Sequence, residues 1–304
     1  MAQPGRSAQR KPEPQAGPSP ESPRIPESFG RHLRCGRFTL GLSRPLLMGI
    51  VNVTPDSFAD GGRYFDAKLA IEHAERLIAE GADLIDIGGE STRPGALPVS
   101  EEEELRRVLP LVEALAGGPV PLSVDTRKPG VMRAALAAGA SMINDIGALE
   151  PEAAMAAVAE SGCAVCLMHK QNDPQTMQLA PHYDDVVAEV RAYLAARVAA
   201  VEARGIAANR IVIDPGFGFG KTAAHNLRLL HELRQFTGLG GALLAGLSRK
   251  ATIGQITGRA VGERVFGSVA AALIAVERGA DVVRVHDVAA TRDALSVYSA
   301  VAAA

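Results

Sequence analysis

The sequence predicts a closed barrel of eight parallel strands wrapped in helices. It is a single (β/α)8 TIM-type barrel, preceded by a short N-terminal hairpin and a disordered N-terminal tail. Three observations predict it. Short apolar runs alternate with Ala-rich helical stretches along the whole chain after the tail. The apolar runs are nearly continuous, as in a parallel sheet buried on both faces. Almost every run ends, on its C-terminal side, in a polar side chain, and a closed parallel barrel gathers all such ends on one rim. An open doubly wound sheet is the alternative, but eight units in 304 residues favour closure.

Residues 1–34 form the predicted tail. MAQPGRSAQRKPEPQAGPSPESPRIPES has too few large apolar residues to offset the entropy of ordering. Glu13, Glu21 and Glu27 argue against an acid-poor transit peptide. The folded domain is expected over 35–304, opening with CGRFTLGLSRP as a hairpin. The predicted barrel strands begin with LLMGIVNV, ending at Val53, DLIDIGG (83–89), PLSVDT (121–126) and SMINDI (141–146). They continue with AVCLMH (164–169), RIVIDPG (210–216), LLAGLS (243–248) and DVVRVH (281–286). Between them lie helical stretches such as 67–81, 100–117 and 184–205. Ser100 with Glu103 makes a capping box at one helix start. Gly81, Gly139, Gly205 and Gly279 fall where helices should end.

Composition narrows the function classes. A net charge of -2 gives no basic field for nucleic acid or an anionic membrane surface. No apolar run reaches the roughly 20 residues of a membrane span, and no apolar leader opens the chain. Three cysteines do not suggest a disulfide framework, so a reducing, cytoplasmic setting is expected.

The strand ends carry Asn52, Asp86, Asp125, Asn144 with Asp145, His169, Asp214, Ser248 with Arg249 and Lys250, and Arg284 with His286. One such residue is an ordinary strand terminus; a full set points to a site. GFGFGKT (216–222) is not a Walker loop, because Pro215 stands where that pattern needs glycine. It reads instead as a flexible loop behind Asp214. Cys163 and Cys166 are packing cysteines within a strand, and Glu101–Glu104 is a solvated helix start that complements the dipole. His32, His73, His182, His225 and His231 are expected on the surface. In VNVTPDSF (51–58), Asn52 and Asp56 offer hard oxygens for Mg²⁺, completed by substrate phosphate. Arg284 and His286 share one strand face and, with a metal, make a diphosphate-binding set. Asp125, Asn144 and Asp214 suit a flat heterocycle bearing an amino group and ring N–H, with Lys250 donating to its carbonyl or ring nitrogen.

These residues lie in long segments that resemble the dihydropteroate synthase family from about residue 36 to the C-terminus. The segments are MGIVNVTPDSFADGG, DLIDIGGESTRPGA, PLSVDTRKPGVMRAALAAGASMINDI, IDPGFGFGKT, GLSRKATIGQITGR and RVHDVAATRDAL. The resemblance implies condensation of (7,8-dihydropterin-6-yl)methyl diphosphate with 4-aminobenzoate, releasing diphosphate, in folate biosynthesis. It implies pterin contacts from Asp125, Asn144, Asp214 and Lys250, with Thr92 in the substrate-binding set. It assigns the diphosphate to Asn52, Arg284 and His286, with Mg²⁺ at Asn52, and catalysis to Arg284, His286 and Lys250. The aminobenzoate pocket falls to Phe58, Arg93, Pro94, Phe219 and Ser248, with Thr92 beside them, under loops 54–62 and 90–95. A homodimer through barrel helices and sensitivity to sulfonamides are also implied.

One departure stands out. In MHKQND (168–173), Lys170 replaces an apolar residue and Asn172 a glycine of the family pattern. Lys170 is expected to lay its stem along the pterin wall and turn its ammonium to solvent. Two rivals remain at this level. A pterin-binding protein without catalysis would not need Arg284, His286 and Asn52, and a corrinoid-dependent methyltransferase barrel would lack the STRPG and SRK loops.

Overall fold

The computed structural model of the chain describes residues 1, 30–53, 63–92, 95–173 and 175–304. Ten strands are described. β1 (His32–Cys35) and β2 (Phe38–Gly41) pair as an antiparallel hairpin. The barrel strands are β3 (Leu46–Asn52), β4 (Leu84–Gly88), β5 (Leu122–Asp125), β6 (Met142–Asp145), β7 (Ala164–Met168), β8 (Ile211–Asp214), β9 (Ala242–Ala245) and β10 (Val282–Val285). All eight are parallel, in sequential order, and β10 closes on β3 with Val282 opposite Leu46 and Arg284 opposite Met48. The open-sheet alternative is thereby excluded. The helices are α1 (Arg63–Ala79), α2 (Glu101–Leu115), α3 (Pro129–Ala137), α4 (Glu152–Ala159), α5 (Val186–Glu202), α6 (Ala223–His231), α7 (Ala251–Thr257), α8 (Val265–Glu277) and α9 (Val288–Ala302).

Strand alternation splits the core in two. One set of residues, including Leu47, Ile85, Val124, Ile143, Val165, Ile213, Leu243 and Val283, packs outward against the helices. The other set fills the barrel lumen with Leu46, Met48, Leu84, Met142, Ala164, Cys166, Val212, Ala242, Leu244 and Val282. The hairpin stops the N-terminal end of that lumen: Leu33 and Cys35 are fully buried in the same cluster, with Phe38 and Leu40 against it. Arg31 fixes the hairpin from outside, donating to both oxygens of Asp281 at 3.0 and 2.9 Å. The hairpin therefore begins at His32, not at Cys35, and residues 32–34 belong to the fold rather than to the tail. The remainder of the expected tail, residues 2–29, lies outside the described residues.

Local signals acted largely as their chemistry dictates. Gly81, Gly139, Gly205 and Gly279 follow helices in left-handed backbone, with φ of 98°, 112°, 85° and 97°. Ser100 caps α2 by accepting from the Glu103 N–H at 3.2 Å. Glu103 does not return the bond; its carboxylate is taken by Arg106 and Arg107. The acidic run is only partly solvated. Glu104 is buried, because its side chain turns inward to Lys128. Cys35, Cys163 and Cys166 are buried free thiols, as packing cysteines should be.

Because the hairpin seals the lumen, Leu33→Ala should cost about 2–5 kcal/mol of stability, the usual range for emptying a buried leucine site. Chemical denaturation measures it. A loss below about 1 kcal/mol would show that the hairpin does not close the core.

Candidate active site

The lumen residues change character along each strand. Two residues beyond an apolar lumen side chain, the same face presents a polar one: Leu84 then Asp86, Met142 then Asn144, Val212 then Asp214, Val282 then Arg284; on β5 the buried, polar Ser123 precedes Asp125. In the register Asp125 pairs with Asn144 and with Gly88, and Asp86, paired with Ser123, stands one step deeper. The polar layer thus sits immediately above the apolar plug, at the C-terminal mouth.

Arg284 organises it. Its Nε donates to Asp86 Oδ2 at 2.6 Å, and its Nη2 donates to Asp125 Oδ2 at 3.0 Å. Asn144 Nδ2 donates to the same Asp86 oxygen at 3.1 Å. Asp86 is fully buried, and its other oxygen, Oδ1, has no hydrogen-bond partner among the described residues. Burial opposes the charge on Arg284, but Asp86 and Asp125 outweigh it and hold the guanidinium firmly protonated. Burial pushes the Asp125 carboxyl up to about 7, with Asp86, Glu104 and Asp145 adding to the effect and Arg284 pulling against it. Asp86 was legible as a rim residue but carried no assigned role. Its signal was its place two residues after Leu84, on the lumen face.

A second group faces the first. Asp214 Oδ1 accepts from the Gly216 N–H at 2.7 Å, and burial raises this carboxyl against the pull of Lys250. Lys250 Nζ donates to the Phe217 carbonyl and lies 4.9 Å from the centre of the Phe219 ring. Burial lowers Lys250 to about 8, with Asp214 opposing. At the end of β10, His286 Nδ1 lies 3.0 Å from Ser248 Oγ, which also accepts from the His286 backbone N–H at 3.2 Å. Ser248 and Lys250 flank Arg249, held at φ 58° by its ion pair to Asp287 and by the Ser268 hydroxyl on its N–H.

Asp125, Asn144, Asp214, Lys250 and Arg284 thus line one mouth, with Phe219, Ser248 and His286 at its edge. Asn52 ends β3 beside Gly88; a Cβ on that glycine would meet the Asn52 amide oxygen at 3.3 Å. Thr92 follows β4, half-buried. Phe58, Arg93, Pro94 and Asp56 lie outside the described residues. The base of the loop after β4 is tied down through Glu90, which accepts from Lys128 at 2.7 Å, Val99 N at 3.0 Å and Arg127 at 3.3 Å.

Two expectations are corrected. The 216–220 loop is not slack: each of its five carbonyls accepts a side-chain hydrogen bond, Gly216 and Phe219 from Lys221, Phe217 from Lys250, Gly218 from Gln178 and Gly220 from Tyr183. And the Lys170 ammonium does not simply reach solvent. It turns back to donate to the Asn172 carbonyl at 3.2 Å, near Asp173 at 3.9 Å.

The family model described as pterin binding enzyme matches residues 48–286. The dihydropteroate synthase of Neisseria meningitidis serogroup B is 54% identical over 280 residues, covering 90% of this chain and 98% of that one. Among solved structures, Xanthomonas albilineans dihydropteroate synthase with 4-aminobenzoic acid is similar with a TM-score of 0.86 at 56% identity, covering 90% of this chain and 99% of that one. The same enzyme in complex with 7,8-dihydropteroate gives 0.82 at 54% identity, with the same coverage.

Asp125 provides a test of the charge layer. Its folded value lies above the ordinary 3.8, so its contribution to stability is fully present below about 3.8 and is lost as pH rises through about 7. Removing Arg284 removes the cation that favours the carboxylate. In Arg284→Ala the Asp125 carboxyl should therefore titrate above its wild-type midpoint, followed by its ¹³C carboxyl shift. A lower midpoint would contradict the arrangement.

Proposed function

The chain belongs to the pterin-binding enzymes and, among them, to the dihydropteroate synthase family, and from that premise we propose how its rim residues divide the work. It condenses (7,8-dihydropterin-6-yl)methyl diphosphate with 4-aminobenzoate, giving 7,8-dihydropteroate and diphosphate. The observation that carries the assignment of roles is the Asp86–Arg284–Asp125 triad, bonded to Asn144 through Asp86 and sharing one mouth with Asp214 and Lys250.

The heterocycle is held by Asp125, Asn144 and Asp214. Their acceptors and the Asn144 amide suit an aminopyrimidinone edge, and burial makes any unmatched group costly. Lys250, drawn down to about 8, donates to the ring carbonyl or nitrogen opposite Asp214. Arg284 spends Nε and Nη2 on the carboxylates, and Nη1 remains to face the diphosphate. His286, its Nδ1 beside Ser248, presents the rest of its ring to the same leaving group.

As the C–O bond to diphosphate breaks, negative charge grows on the phosphates and positive charge on the pterin methylene. Arg284 and His286 stabilise the first; the carboxylates under the ring tolerate the second. The aminobenzoate nitrogen attacks the methylene carbon and gives up a proton. This weak nucleophile depends on positioning by Phe219, Ser248, Phe58, Arg93 and Pro94, with Thr92 at the border. Arylsulfonamides share the shape of the aniline and compete for this place.

We assign Mg²⁺ to Asn52. Among the described residues, no group of three or more His, Cys, Asp or Glu forms a cage for a metal ion. A single amide oxygen at the mouth suits an ion that takes its other oxygens from water and the diphosphate. When bound, the ion neutralises charge on the leaving group. A homodimer is proposed through the outer helices, where α8 exposes Phe266 and Ile274, and α9, packed on it, exposes Val297 and Val301. No described helix is long and apolar enough to cross a membrane. A cytoplasmic location and the absence of nucleic-acid or membrane partners complete the proposal, in line with a net charge of -2 and buried free thiols.

Three measurements test it. Arg284→Ala should lower kcat by roughly 10²–10³ and weaken inhibition by free diphosphate, while a pterin lacking the diphosphate loses less affinity than the full substrate. Equal loss for both pterins would place Arg284 in ring recognition. Asp214→Ala should nearly abolish pterin binding by calorimetry; affinity within about twofold of wild type would reject its role. In sedimentation, Phe266→Glu should convert a dimer to a monomer, and an unchanged mass would move the interface elsewhere.

A further inference from the structure

Lys221 is a buried cation that the reaction scheme leaves unused. The residue is 3% exposed. Its Nζ lies 2.9 Å from His169 Nδ1, 3.0 Å from the Gly216 carbonyl and 3.0 Å from the Phe219 carbonyl. Three close acceptors match the three N–H bonds of an ammonium. A fourth, the His169 carbonyl, is more distant at 3.4 Å.

The acceptors are themselves held. The His169 ring packs edge-on against Tyr193, centroids 5.0 Å apart, and lies near Tyr183. Burial, then the charges of Lys221 and Lys170, push this imidazole down to about 3. In the tautomer with its proton on Nε2, Nδ1 accepts from the Lys221 amine. Burial also lowers Lys221, to about 7, with Asp214 pulling it up and Lys250 pushing it down. His225, on α6, completes the titratable groups facing this corner.

What Lys221 does follows from the backbone of the loop it ends. Gly216, Gly218 and Gly220 all have left-handed φ, of 71°, 82° and 62°, and this sends successive carbonyls to opposite sides. The Gly216 and Phe219 carbonyls turn inward to Lys221; the Phe217 carbonyl turns outward to Lys250. Gly216 has no room for another residue, since a Cβ there would meet the His169 carbonyl at 1.8 Å. One loop is thus gripped by two lysines from two sides. The grip on the Phe219 carbonyl fixes where the Phe219 ring stands against the Lys250 ammonium.

We infer that Lys221 is a positioning residue for the aminobenzoate subsite: from behind the site it sets the 216–220 loop, and so places Phe219. The inference rests on the assignment of Phe219 to the aminobenzoate pocket. It concerns a residue that touches neither substrate.

Lys221→Met keeps the bulk and removes the charge and the three donors. The KM for 4-aminobenzoate should rise about tenfold, equivalent to about 1.4 kcal/mol. kcat and the affinity for a dihydropterin lacking the diphosphate should stay within about twofold. Lys221→Arg keeps the charge, but its planar fork does not match the three acceptors, so it should not restore the KM. Leu33→Ala, at the opposite end of the barrel, controls for lost stability and should leave the KM unmoved. A folded Lys221→Met protein that is less stable but has a wild-type KM would make Lys221 merely structural and overturn the inference. Should Lys221→Met not fold, the wild-type enzyme answers through its ¹⁵Nζ resonance. That signal should be protected from exchange and should shift when 4-aminobenzoate is added in the presence of dihydropterin and diphosphate. A signal unmoved by the amine would also overturn the inference. Failure of the wild-type chain to form dihydropteroate would sink the functional reading instead, and is seen separately in the turnover assay.

Discussion

The active mouth depends on one guanidinium held between two carboxylates. Arg284 on β10 reaches across the lumen to Asp86 on β4 and Asp125 on β5, neither of which neighbours it in the sheet. Bringing these charges out of water is expensive, and their mutual attraction returns that cost only if the geometry is good and the remaining lone pairs are met. Asn144 meets one of them, while Asp86 Oδ1 has no partner among the described residues. A layer that is almost but not wholly satisfied is a poor stabiliser. It does suit a place where a polar ring must enter and complete the bonding.

The apolar plug beneath makes this layer possible. Leu46, Met48, Leu84, Met142 and Val282, sealed by Leu33 and Cys35, exclude water from the floor of the mouth. Low local polarity lengthens the reach of each charge, so Lys250 and Asp214 feel Arg284 and one another.

Much of this was legible in the sequence because strands have a period of two. Continuous apolar runs gave eight strands, and their polar ends gave the rim with Asp125, Asn144, Asp214, Arg284 and His286 in place. What the period does not encode is which rim residues bond one another. Asp86 was visible as a strand-end carboxylate, but its partner lies 198 positions away in the chain. Glu104 read as one acid among four at a helix start; only the packing of α2 on α3 turns it inward to Lys128. Lys221 looked like the remnant of a failed phosphate loop. Its role depends on a histidine 52 residues earlier and on carbonyl directions that no pattern of residue types reveals.

The segment after β7 shows the converse, a change of residue type whose backbone suits the residue it replaces. Asn172 stands where the family pattern has glycine, and its φ is 65°, the left-handed conformation that glycine would adopt freely. Asparagine is among the few other residues that visit this region routinely, so the substitution is tolerated at modest cost. That retained turn is what brings the Asn172 carbonyl back within 3.2 Å of the Lys170 ammonium. The two departures are thus coupled. Lys170 brings a charge to the segment after β7, and the turn at Asn172 supplies the acceptor that holds the charge on the loop's own backbone. A lysine at 170 without a left-handed residue at 172 would lose that acceptor, and its ammonium would be left to find a partner among Asp145 and the groups lining the mouth.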